Sequence, residues 1–193
     1  QVAEPICLHR DKNWDEALEI AVELLTKVAI PDAKDRLDDY PHHFSGGMRQ
    51  RVMIAMALAC EPRLIIADEP TTALDVTVQA QILALLNDLT EQSQTALILI
   101  THDLGVVARY ADRVAVMYGG RIVETADAKE LYANPQHPYT VGLMASIPGI
   151  EGDAGARLIT IDGQPPDLAD LPSGCAFATR CQHAHDACRT SIP

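Results

Sequence analysis

Four short stretches between Tyr40 and Asp103 gather residue types that handle phosphate: Ser45-Gly46-Gly47, the acid pair Asp68-Glu69, Asp75, and His102. Ser45-Gly46-Gly47 opens a helical pattern in which Val52, Ala55, Met56 and Ala59 recur at three- and four-residue steps. The free N–H groups at such a helix start attract anions, and glycine admits a close backbone approach that a Cβ would block. Asp68 and Glu69 end an apolar run, where open α/β sheets bind ligands. Successive strand residues point opposite ways, so the two carboxylates have separate tasks. Asp68 suits Mg²⁺ coordination, and Glu69 suits polarising an attacking water. His102 closes a second apolar run, where an imidazole could orient water or meet a terminal phosphate.

These groups need a scaffold, and the pattern supplies an α/β one. The run 64–67 is short, wholly apolar and bounded by Pro62 and Pro70, which predicts a strand covered on both faces in a parallel sheet. Asp75 predicts an N-cap for a helix whose apolar face is Val78, Ile82, Leu85, Leu86 and Leu89. Residues 96–100 read as a second buried strand. Upstream, 15–28 carries Ala17, Ile20, Ala21, Leu24, Leu25 and Val28 on one face, with Pro31 ending the helix and Trp14 read as a packing anchor. Downstream, 104–110 reads as helix, and Gly119-Gly120 between 113–118 and 121–124 predicts a hairpin at the sheet edge. Past 125 the pattern predicts short helices at 128–132 and 141–147 around His137-Pro138-Tyr139-Thr140. Residues 148–171 are rich in Gly, Pro and Asp, with a strand-like run at 158–161. This end is expected to be a small appended domain with little core of its own.

With 193 residues the chain can bury a core, and its net charge of -12 leaves no basic stripe for nucleic acid. No apolar run approaches the roughly 20 residues of a membrane-spanning helix, and no basic-then-apolar leader follows Gln1. The expectation is a cytoplasmic protein whose membrane link runs through a partner. Cys7 and Cys60 sit in apolar helical patterns and read as inert core residues. Cys175, Cys181 and Cys188 cluster near the carboxyl end, where thiolates suit an iron–sulfur cluster or zinc, with His183 and His185 as possible further zinc ligands. Three free thiols are the alternative.

The run from Tyr40 to Ala55 containing Ser45-Gly46-Gly47-Met48-Arg49-Gln50, the run Leu64 to Glu69, Ala73-Leu74-Asp75 and Thr101-His102-Asp103 resemble the signature motif, Walker B motif, D-loop and switch histidine of the ATP-binding-cassette (ABC) ATPases. The wider wording, with His137-Pro138-Tyr139-Thr140 and Gly163-Gln164-Pro165-Pro166, is similar to the oligopeptide/dipeptide importer branch. That resemblance implies ATP and Mg²⁺ as cofactors. It implies a partial P-loop NTPase domain divided as a helical-subdomain remnant (1–60), a core half (61–125) and a peptide-importer extension (126–193). Ser45, Gly46, Gly47 and Asp75 would meet nucleotide, with Asp68 on Mg²⁺ and Glu69 and His102 in hydrolysis. The cysteine spacing resembles a tail in which a fourth cysteine completes a [4Fe–4S] cluster.

Implied partners are a second ATPase subunit, docked head to tail, membrane-spanning permease subunits and, indirectly, an extracytoplasmic solute-binding protein. The place is the cytoplasmic face of the membrane. The sequence holds no Gly-x-x-x-x-Gly-Lys-[Ser/Thr], the loop that cradles the β- and γ-phosphates. The chain is therefore read as a truncated piece, expected to bind ATP feebly and not to turn it over. Two alternatives stay open at this point: an ABC-type ATPase outside transport, and a metal or redox module on a cassette scaffold.

Overall fold

The computed structural model of the chain describes residues 1–146 and 160–192. They form two compact units, Gln1–His102 and Asp103–Pro193.

In the first unit, Asn13 starts helix α2 (Trp14–Lys27) with a full capping box: its side chain accepts from the Glu16 N–H while Glu16 reaches back to the Asn13 N–H. Ala17, Ala21 and Leu25 form its buried stripe, continued by Val28. The stripe meets α1 (Ala3–His9) and α3 (Gly46–Leu58). The aromatic ring of Trp14 does not anchor this packing. It lies in the first turn of α2 and is 55% exposed, because the stripe takes its partners from Ala17 onward.

Strand β1 (Leu64–Asp68), helix α4 (Val76–Ser93) and strand β2 (Ala96–Ile100) make a parallel β-α-β unit in which Ile65 pairs with Leu97 and Ala67 with Leu99. Ala67 and Leu97 pack towards the helical core, where Ile82 and Leu86 of α4 are buried with Ile54, Ala55 and Ala59. The opposite face departs from the expectation of a strand covered on both sides. Leu64, Ile66, Ile98 and Ile100 are 45–62% exposed, since the helices of this unit pack on the other face.

In the second unit, α5 (Leu104–Tyr110) precedes an antiparallel hairpin of β3 (Arg113–Tyr118) and β4 (Arg121–Asp127), with a register shift at Val116/Met117. Gly119 and Gly120 both take positive φ, 55° and 74°, as a tight two-residue hairpin turn demands. Among the described residues the hairpin forms a two-stranded sheet of its own, where the sequence pattern predicts the edge of a larger sheet. Helices α6 (Ala128–Ala133), α7 (Pro138–Ala145) and α8 (Asp186–Thr190) follow. Positions 147–159 lie outside the described residues, and with them half of the 158–161 run; residues 160 and 161 are not in a strand.

The carboxyl-terminal region has more core than its composition suggests. Phe177 is 3% exposed and packs edge-on to Tyr118 at 5.2 Å, and Tyr139 stands 4.6 Å from Tyr118. Arg180 ties the cluster down: it donates to the Tyr118 hydroxyl and to the Ile161 and Asp162 carbonyls. The turn is covered as well, because a Cβ on Gly119 would stand 2.8 Å from the Ala176 side chain. Glu124 accepts from the backbone N–H groups of Gln136 and His137, and the His137 Nδ1 then caps α7 by accepting from the Tyr139 N–H. His137-Pro138-Tyr139-Thr140 is thus a helix start, with proline at the first helical position where its missing N–H costs nothing.

Candidate functional site

Every functional side chain foreseen in the first unit sits at an element terminus. Ser45 is the N-cap of α3, and its exposed hydroxyl accepts from the Met48 N–H at 3.3 Å. The hydroxyl proton is left to donate, and the Gly46 and Gly47 amides precede the first internal bond of the helix, from the Arg49 N–H to the Ser45 carbonyl. Arg49 holds the approach in place by donating to the Phe44 carbonyl at 2.7 Å.

The glycines also have a packing reason. A Cβ on Gly47 would come within 2.7 Å of the Val78 side chain, and one on Gly46 would touch Leu74 at 3.4 Å. The close approach required of Gly47 is therefore to the first turn of α4. Asp75 caps that turn, one carboxylate oxygen accepting from the N–H groups of Thr77 and Val78 at 3.1 and 3.0 Å. Two capped helix starts, each open to solvent, are thus in contact.

Asp68 is exposed at the carboxyl end of β1, a hard oxygen donor of the kind Mg²⁺ accepts. Glu69 follows in the left-handed region, φ 45°, with its N–H on the Ile100 carbonyl. Such a conformation costs a non-glycine residue on the order of 1–3 kcal/mol and is usually kept at a site where position matters. Its consequence is visible across the sheet. Glu69 Oε1 meets His102 Nδ1 at 3.0 Å, so residues ending neighbouring strands converge. An ionised carboxylate can only accept, so Nδ1 carries the proton and Nε2 is left facing outward on a side chain that is 83% exposed. Thr72, which the sequence reading passed over, donates to Glu69 Oε2 at 2.8 Å. The Thr72 hydroxyl, then the His102 ring, hold the Glu69 carboxyl below its ordinary value. A proline one residue after the acid and a hydroxyl three residues after it was the signal that could have found this contact.

The metal expectation for the second unit finds no support. Among the described residues no three His, Cys, Asp or Glu side chains gather where they could hold a metal ion. Cys175, Cys181 and Cys188 are free, half-buried thiols. The Cys175 N–H donates to the Cys188 carbonyl, while the Cys188 sulfur is turned onto His185 Nδ1 at 2.9 Å. The residues present do not fit an iron–sulfur cluster or a zinc site built with His183 and His185. Cys7 and Cys60 are also half-buried; Cys7 packs on the first unit's core and Cys60 donates to the Pro5 carbonyl.

A strand–capped helix–strand unit with carboxylate and imidazole meeting at its carboxyl edge, beside a glycine-opened helix, has the architecture of a cassette of the P-loop NTPase fold class. Residues 3–72 match the ABC transporter family model, and residues 123–188 match the model of the oligopeptide/dipeptide transporter C-terminal region. The chain is thus similar to the ABC transporter ATPases in its first part and to the C-terminal region of oligopeptide/dipeptide transporters in its last. It is 57% identical, over its whole length, to a Brucella melitensis protein provisionally named a peptide import ATP-binding protein, of which it covers 59%. It is 53% identical to the oligopeptide transport ATP-binding protein OppD of Salmonella typhimurium, covering 57% of it. Among solved structures, cbiO1 of Clostridium perfringens, described as part of the ABC transporter complex cbiONQ, matches with a TM-score of 0.60 and 31% identity over 74% of this chain and 55% of that one. The chain thus spans less than three fifths of the length of these relatives.

The similarity to ABC transporter ATPases implies ATP and Mg²⁺ as ligands of the class. Among the described residues no helix is long and apolar enough to cross a membrane.

Proposed function

We propose that the chain is the signature-bearing portion of an ATP-hydrolysing subunit that energises import of di- or oligopeptides or related solutes. In this reading residues 1–60 supply a helical segment, 61–125 the catalytic half of the core and 126–193 the importer-type extension. The P-loop must come from residues other than these 193, which contain none. Two cassettes close head to tail, so that Ser45, Gly46 and Gly47 of one donate to the terminal phosphate held by the other. Asp75 braces that end and borders the same nucleotide.

On the nucleotide of its own cassette, Asp68 would hold Mg²⁺, which supplies charge neutralisation at the phosphates. Glu69 polarises the attacking water, and His102 directs its free Nε2 towards the phosphate being transferred. Little covalent chemistry is asked of the protein; positioning and electrostatics lower the barrier. Membrane-spanning permease subunits would be the direct partners, at the cytoplasmic face, and a solute-binding protein an indirect one. The names of the relatives support peptide uptake, and the net charge of -12 speaks against a nucleic-acid role. The residues do not support a cluster at the cysteines, and none enters this proposal.

The contact between Glu69 and His102 carries the reading. Its test is Glu69→Gln and His102→Ala in the assembled importer. Hydrolysis is expected to fall by roughly a hundredfold or more with ATP binding kept, given the usual yield of positioned acid–base groups. Undiminished phosphate release would overturn it. The 193-residue chain alone is expected to bind ATP feebly and release no phosphate.

A further inference from the structure

Thr72 touches the acid at the centre of the proposed hydrolysis, and the sequence motif alone gives it no task. Glu69-Pro70-Thr71-Thr72 is a turn closed by its own backbone: the Thr72 N–H donates to the Glu69 carbonyl at 3.1 Å. The proline at its second position suits such a turn. The hydroxyl is therefore not needed to hold the loop shape, and yet it donates to Glu69 Oε2 at 2.8 Å. Oε1 is given to His102 Nδ1. Each carboxylate oxygen thus has one side-chain partner, and the plane of the carboxylate is fixed by two points. A β-branched residue is a stiff holder, because its χ1 has few alternatives. Left-handed backbone at Glu69 and Ala73, φ 45° and 65°, brackets the three-residue span and aims Thr72 back at the acid.

We propose that Thr72 is a positioning residue for ATP hydrolysis, its hydroxyl fixing the Glu69 carboxylate in the orientation that also engages His102. The inference rests on the hydrolytic reading above. It predicts that Thr72 acts on the chemical step and not on nucleotide affinity, since the hydroxyl reaches the acid and no motif for holding phosphate.

Steady-state ATP hydrolysis by the assembled importer tests this with Thr72→Val, Thr72→Ala and Thr72→Ser, beside Glu69→Gln. Val keeps the shape and removes the donor; Ser keeps the donor. The expected result is a kcat lowered roughly ten- to a hundredfold in Val and Ala, the scale of a misplaced catalytic group. KM for ATP is expected to stay within about twofold, with Ser restoring most of kcat, as an effect on positioning rather than on binding requires. Thr72 is exposed, so all three variants are expected to unfold at the wild-type temperature. Wild-type kcat in Val and Ala, a rise in KM that accounts for the loss, or a Ser variant as slow as Val would overturn the role of Thr72 while Glu69→Gln remained inactive. Turnover persisting in Glu69→Gln would instead remove the hydrolytic reading on which the role depends.

Discussion

The two units differ in what they bury: both leave aliphatic side chains exposed, Met117 and Ile122 on the hairpin of the second among them, but only the second gathers Tyr and Phe rings into a cluster. The second unit closes on itself: its hairpin carries Tyr118 inward, Tyr139 and Phe177 fold over it, and Arg180 ties down the strand of chain at Ile161 and Asp162. The first unit buries one face of its sheet in a helical core and leaves Leu64, Ile66, Ile98 and Ile100 open on the other, with Asp68 on that same side at the strand end. One unit spends its aromatic residues on its own cohesion. The other keeps aliphatic surface and chemistry at its boundary, an arrangement suited to residues that work against something else.

The largest expected effect breaks the self-contained unit. Phe177→Ala removes a ring that is 3% exposed and should destabilise the second unit by about 3–5 kcal/mol, the usual range for a buried phenylalanine. Urea unfolding followed by the near-ultraviolet signal of Tyr118 and Tyr139 measures it. Trp14, the chain's single tryptophan, reports the first unit in the same titration.

Acid sharpens the contrast with a smaller effect. Burial pushes His137 below its ordinary value of 6.5, with Glu124 opposing. Burial works to raise Glu124, but Thr140, the N–H groups of Gln136 and His137 and the His137 charge outweigh it and hold the carboxyl below 4.5. Both folded values are depressed, so in both cases the unfolded chain takes up protons first. Their contribution is complete above pH 6.5. It declines as pH falls from 6.5 for His137 and from 4.5 for Glu124. Protonation of His137 Nδ1 also removes the acceptor that caps α7. A His137→Asn variant keeps a capping side chain and should lose the upper part of that decline in urea titrations between pH 8 and pH 4.

The smallest effect is expected on the open face. Ile66→Thr with Ile98→Thr should change the stability of the first unit by no more than about 0.5 kcal/mol, as for exposed positions in general. It should lower self-association in sedimentation experiments. A loss like that of Phe177→Ala would mean the face is not free in solution and the contrast is false.

Local rules made part of this readable in the sequence. Asp75 could be named as a cap and Ser45 placed at a helix start because the bond each makes lies two or three residues away. Gly119-Gly120 announced its hairpin for the same reason. That Glu69 and His102 each follow an apolar run was readable, and the parallel pairing of those runs is what brings the two side chains together. What stayed hidden depends on distant chain. Whether Leu64 or Ile66 is covered is not a property of the run they stand in. The ring of Phe177 meets Tyr118 across most of the second unit, and nothing near either residue says so. Cysteine spacing suggested a metal cage, whereas the tie between Cys175 and Cys188 and the turn of the Cys188 sulfur onto His185 give another arrangement.

The absent side chain at Gly47 has a mechanical meaning. With only hydrogen between its Cα and Val78, the first turns of α3 and α4 interlock with no cushion to absorb relative sliding. Whatever pulls on the serine end of one must drag the aspartate end of the other along. Two motifs far apart in the chain therefore behave as one stiff bracket, and a load placed on either is felt by both.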